Sequence, residues 1–107
     1  MKIEKPWGYE KVLEENVKYV LKELFMKADH SCSLQYHKEK RETIYVLTGK
    51  LEIKSSDGTK IYEPFESVTI MPREVHRMCA IEDCLYLEAS TPELHDVVRL
   101  DDEYGRV

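Results

Sequence analysis

The chain has 107 residues, room for one compact domain (1–107) rather than two. With 42% hydrophobic and 35% charged residues it can fill a core, which argues against long disorder. Sixteen Lys and Arg against 21 Asp and Glu leave a net charge of −5, the wrong balance for a surface that neutralises a phosphate backbone, so no nucleic-acid partner is expected.

The first five residues carry Lys2, Glu4 and Lys5 with no apolar stretch behind them, which does not read as a signal peptide. Apolar runs reach only four residues, as at Ile44 to Leu47, so no membrane span is expected. Three cysteines without a CxxC pair point to free thiols in a reducing, cytoplasmic setting. From Tyr19 to Ala28 the residues are rich in β-formers, with apolar side chains on both parities, as in a strand covered on two faces. Ser33 to His37 is a short run that sets Ser33, Gln35 and His37 opposite Leu34 and Tyr36. Glu42 to Thr48 follows, then a turn at Gly49, then Leu51 and Ile53 alternating with Glu52 and Lys54. Ser55 to Thr59 is the clearest turn, because Gly58 tolerates positive φ and Asp57 can close an Asx bond. Lys60 to Tyr62, Ser67 to Ile70, Val75 to Ile81 and Cys84 to Ser90 complete the strands. Short strands with turn signals every 8 to 12 residues or so predict an all-β sandwich or small barrel. After Pro92 a single helical turn or an extended tail is expected.

Residues at i and i+2 of a strand share a face, so Gln35 and His37 point the same way. Glu42 opens the next strand after the polar loop Lys38 to Arg41, and His76 opens another far downstream. Cys79 lies on the opposite parity from His76 and makes a poor co-ligand. Two imidazoles, one carboxylate and one amide oxygen suit a divalent transition metal (Zn, Fe, Mn, Co or Ni) and leave positions open for substrate. The plainer reading makes His37 and His76 unrelated strand-end histidines.

The spacing Gln35, His37, Glu42, Gly49 resembles the first conserved motif of cupins, with Gln in place of its first His. Met71 to His76 resembles the second, whose final His completes a metal site. Lys5 to Glu10, Ser33 to His37 and Asp96 to Arg106 are similar to blocks of type II mannose-6-phosphate isomerases, so the likeness runs from about Lys5 to Arg106. It implies a cupin double-stranded β-helix, or jelly-roll barrel, and a metal held by Gln35, His37, Glu42 and His76. The family commonly has a second His where this chain has Glu39, which makes Glu39 a rival to Gln35. It usually has Pro and Gly where this chain has Met71 and Arg73. Guanylyl transfer, carried by a separate domain in the family, is not implied, because no phosphate-cradling glycine loop is present.

The implied activity is aldose–ketose isomerisation of a phosphorylated sugar. Glu88, on the strand Cys84 to Ser90, is the expected acid–base residue, with its pKa raised if it faces a cavity and ordinary if it faces solvent. Arg99 and Arg106, in the C-terminal block, are the implied phosphate ligands, unless they pair with Asp96, Asp101, Asp102 or Glu103. Lys38, Lys40 and Arg41 are a second cationic group, although such loop charges are usually solvated. Trp7 is expected to plug one end of the barrel, and His30 and His95 receive no role. Two other functions fit the same residues: a non-catalytic sugar- or nucleotide-sugar-binding cupin, and an iron cupin oxygenase. A homodimer is expected, because so small a barrel has edges to cover.

Overall fold

The computed structural model describes residues 1–106. The predicted strands form, with boundaries moved by one or two residues. In chain order they are β1 (Lys2–Lys5), β2 (Gly8–Glu15), β3 (Val20–Met26), β4 (Leu34–Tyr36), β5 (Glu42–Thr48), β6 (Leu51–Ser55), β7 (Gly58–Tyr62), β8 (Ser67–Ile70), β9 (His76–Ala80), β10 (Cys84–Ser90) and β11 (Val98–Asp101). The charged hairpin β1–β2 is an addition to the sequence reading. Of the two alternatives for the tail, the extended one forms at β11, which pairs antiparallel with β4.

Two antiparallel sheets result, ordered β1-β2-β3-β10-β5-β8 and β11-β4-β9-β6-β7. Among the described residues no continuous ladder joins one sheet to the other. The architecture is therefore a two-sheet jelly roll, and the closed barrel expected from sequence is corrected to that extent. Among the described residues no helix is long and apolar enough to cross a membrane.

The alternation read from the sequence decides what lies between the sheets. On β3 the residues Val20, Leu24 and Met26 are buried, and on β10 so are Cys84 and Tyr86. Ile44 and Val46 on β5 meet Leu51, Ile53, Met78 and Ala80 from the opposite sheet in one apolar cluster. Burying each Val, Leu, Ile or Met side chain among them contributes about 1.5–3 kcal/mol. Trp7 closes the cluster at 4% exposure, as expected of a plug. Cys32, Cys79 and Cys84 are free thiols. Gly49 turns β5 into β6 at φ +83°, where any Cβ would collide with the Asp83 backbone carbonyl.

The inner face of the six-stranded sheet is not uniformly apolar. Towards one end the inward positions of β3, β10 and β5 are Lys22, Glu88 and Glu42, all buried. Register places Lys22 directly across from Glu88 on neighbouring strands. This polar end of the sandwich holds the functional site.

Candidate metal centre

Three elements converge there. His37 directly follows β4, Glu42 opens β5 and His76 opens β9. One donor atom from each lies within 4.8 Å of the others, and all three residues are buried. Glu42 Oε1 sits 3.1 Å from His37 Nε2 and 3.3 Å from His76 Nε2. The ring centroids are 5.3 Å apart with planes tilted by 50°.

Hydrogen bonds on the far side of each ring fix the tautomers. His37 Nδ1 lies 2.6 Å from the Asp96 carbonyl oxygen, and His76 Nδ1 lies 2.9 Å from that of Glu74. A carbonyl only accepts, so each Nδ1 carries the proton and donates it. In the neutral ring each Nε2 then turns a lone pair inward, towards Glu42 Oε1. His76 Nε2 is fully buried and has no aligned hydrogen-bond partner. Inward lone pairs and a carboxylate oxygen repel one another unless a positive charge, either a metal ion or a second proton on an imidazole, lies between them. The donor set, two imidazole nitrogens and one carboxylate oxygen, fits a divalent transition metal and leaves coordination positions free. Burial works against the Glu42 charge, but the imidazoles and the Lys40 ammonium prevail and hold its carboxyl well below the ordinary range.

His37 and Glu42 of the triad line a cavity of about 550 Å³ whose wall also includes Gln35, Glu88, Arg99 and Arg106. Gln35 stands opposite His76 in the β4–β9 register and accepts a 2.6 Å hydrogen bond from Ser33 Oγ through its Oε1. Glu39 is exposed on the β4–β5 loop, away from the triad, so it does not take the place of Gln35. Glu88 faces inward at 4% exposure, and its Oε2 makes no hydrogen bond. Burial, and then the negative charge of Glu42, push its pKa up to about 8 against the pull of Lys40 and Lys22.

The two arginines differ. Arg106 grips Asp102 through Nε at 2.8 Å and a terminal nitrogen at 2.7 Å, the local pairing that the sequence allowed. Arg99 borders the same cavity, and its buried Nε has no partner. Among the loop cations, Lys38 and Arg41 are exposed as expected. Lys40 is not: at 5% exposure its Nζ lies 3.6 Å from Glu42 Oε2 and 3.7 Å from Glu88 Oε2.

The sequence pattern described as "Mannose-6-phosphate isomerase C-terminal" matches residues 1–102. The chain belongs to that family. No curated protein matches the sequence. Among solved structures it resembles KdgF from Halomonas sp. at 14% identity and a TM-score of 0.79, over 89% of this chain and 88% of that one. Ectoine synthase from P. lautus aligns at 17% identity and a TM-score of 0.79, over 94% of this chain and 81% of the other. An oxalate decarboxylase from Bacillus subtilis gives a TM-score of 0.80 at 17% identity, covering 94% of this chain but 30% of the decarboxylase. At these identities the likeness establishes the fold alone.

In this member of the mannose-6-phosphate isomerase C-terminal family the backbone at Arg73 takes the left-handed conformation, at φ +68°. The Arg73 amide donates to the His37 carbonyl at 2.6 Å, so the turn before His76 is tied to the other histidine. Three residues of the site escaped the sequence reading. Lys22 occupies an inward parity between Val20 and Leu24, and a charge at such a position was the available signal. Lys40 is expected from sequence only as part of a second cationic group for phosphate or as a solvated loop charge, not as a partner of Glu42. Asp96 was read only as a neighbour of arginines, yet its carboxylate accepts from the Lys38, Glu39 and Lys40 amides at 3.0, 2.7 and 3.0 Å.

Proposed function

We propose that the domain interconverts the aldose and ketose forms of a phosphorylated hexose, as a mannose-6-phosphate isomerase does. The observation that carries this reading is Glu88, an unsolvated carboxyl on the wall of the cavity that His37 and Glu42 of the metal triad also line. Isomerisation takes a proton from the carbon beside the carbonyl and returns one to the neighbouring carbon, while a hydroxyl proton crosses between the two oxygens. A single carboxyl near its own pKa serves both carbon steps, first as base and then as acid, typically for about 10²–10⁴-fold in rate. His37, Glu42 and His76 would hold the metal, with Gln35 as the fourth ligand. When bound, a divalent cation supplies Lewis acidity to the sugar oxygens on the reacting carbons.

Arg99 and Arg106 hold the phosphate in this reading. The free Nε of Arg99 offers a buried donor, and Asp102 keeps the Arg106 guanidinium at the cavity wall. The cavity shuts part of the sugar away from bulk water, which strengthens each of these contacts. The domain is read as cytoplasmic and homodimeric, the open edge strand β1 offering a surface for pairing.

The test is incubation of metal-loaded protein with mannose 6-phosphate and a panel of other hexose phosphates, following the ketose product. Turnover that falls about 10²-fold or more in Glu88→Gln supports the reading. Tight binding of a sugar phosphate or nucleotide sugar without conversion overturns it in favour of a binding domain. Oxygen uptake with a thiol or diketone overturns it in favour of an oxygenase.

A further inference from the structure

The two oxygens of Glu42 have different partners. Oε1 faces both imidazole Nε2 atoms at 3.1 and 3.3 Å, whereas Oε2 lies 3.6 Å from the Lys40 ammonium. Lys40 is almost entirely buried, so few water molecules compete for its charge. Its position is fixed from behind by the Asp96 carboxylate, which accepts the Lys40 amide at 3.0 Å together with the two amides before it. His37, through its Nδ1, donates to the backbone carbonyl of that same aspartate. One loop thus carries a metal ligand at one end and a cation aimed at another ligand's second oxygen three residues later.

We infer that Lys40 is a positioning residue that confines Glu42 to one coordinating oxygen. A carboxylate beside a divalent ion can offer one oxygen or two. The second would fill a position that substrate needs, and a metal site that works on substrate must keep such positions open. An ammonium paired with Oε2 draws that oxygen away from the ion. It also adds a positive charge near the metal, so the open position is kept at some expense of affinity. This assignment concerns the metal alone and stands whether or not the domain isomerises a sugar.

The role makes an unusual prediction. Removing a residue that merely supports the site should weaken metal binding, typically by about 10–100-fold. Removing Lys40 should tighten it. Lys40→Met is expected to bind Co(II) about tenfold more tightly than the wild type, because a repelling charge is lost and Oε2 is released. Its visible Co(II) absorption should weaken as the coordination number rises, while Lys40→Arg should keep the wild-type spectrum. The same tightening in a Glu88→Gln background shows that the released oxygen belongs to Glu42 rather than to Glu88. Unchanged or weaker Co(II) binding by a folded Lys40→Met, with an unaltered spectrum, overturns the assignment.

Infrared difference spectra of wild-type protein on Zn(II) binding provide a second reading that does not depend on a variant folding. A wide separation of the carboxylate stretches, the mark of one-oxygen coordination, agrees with the inference. A narrow separation, the mark of two oxygens, refutes it.

Discussion

Asp96 reaches His37 by two routes: its carbonyl takes the His37 Nδ1 proton at 2.6 Å, and its carboxylate gathers the three amides that follow His37 in the chain. A residue 59 positions away in sequence therefore sets both the tautomer of one ligand and the path of the loop towards Glu42.

Replacing Asp96 by Ala leaves the carbonyl in place but strips the three amides of their acceptor. Stability should fall by about 1–2 kcal/mol, and metal affinity by about tenfold. The Glu39 amide, then those of Lys38 and Lys40, hold the Asp96 carboxyl below its ordinary pKa. A depressed carboxyl stabilises the fold above its unfolded pKa, near 3.9, and the contribution disappears as pH falls through the lower folded value. Urea unfolding of wild type and Asp96→Ala should accordingly converge as pH drops below about 4.

Glu88 has the opposite sign. Its folded pKa is raised from 4.5 to about 8 by burial and by Glu42, so between those values the metal-free native state retains a proton that the unfolded chain releases. Stability of the metal-free protein should therefore decline as pH rises from 4.5 to about 8. Glu88→Gln should flatten this decline and be the more stable protein at pH 8, by on the order of 2 kcal/mol. Unfolding curves across that range check it, and a wild-type stability that climbs with pH would show that Glu88 ionises normally.

The unequal arginines predict unequal kinetics for a sugar-phosphate substrate. Arg99→Ala should raise KM by roughly 10–100-fold, the loss of charge-assisted hydrogen bonds, with kcat little altered. Arg106→Ala should cost less in KM, because its fork is already spent on Asp102, and should instead lower the melting temperature. Steady-state kinetics beside thermal melts separate the two.

Arg73→Gly should stabilise the protein by about 0.5–1 kcal/mol, since the left-handed conformation at φ +68° strains a side chain and suits glycine. The Arg73 guanidinium is exposed, so metal affinity should not change. The urea midpoint and a metal titration test both halves.

Much of this was legible in the sequence. The alternation on β3, β5, β9 and β10 placed His76, Met78 and Ala80 on one side and Cys79 on the other, as the structure has them. The i, i+2 rule put Gln35 and His37 on the cavity side. Missing from that reading were the elements without an apolar stripe. β1 is mostly exposed and β2 has no fully buried residue, so their charged residues carry no clean period-two signal, and β11 is held mainly by its pairing with β4. For Glu88 the strand pattern left two alternatives open, cavity or solvent, because parity shows which way a side chain points but not whether water follows it there. Lys40 lies in a loop, where no parity applies. Asp96 acts through a carbonyl and a loop, neither of which leaves a mark on side-chain patterning.

Among the described residues, the β4–β9 ladder itself has a single register pair, Gln35 with His76, and the seam is continued before β4 by the Ser31–Cys79 bridge and by the Cys32 amide, which donates to the Met78 carbonyl at 3.0 Å. At its cavity end the seam is therefore only one rung deep, which gives little protection against local breathing, and here both uprights carry proposed ligands. Amide protons of Leu34 to Tyr36 should exchange with deuterium quickly in the metal-free protein and slowly once an ion stitches β5 and β9 together. The cation would then be a fastener as much as a reagent, and chelation would loosen the very wall against which substrate must be held.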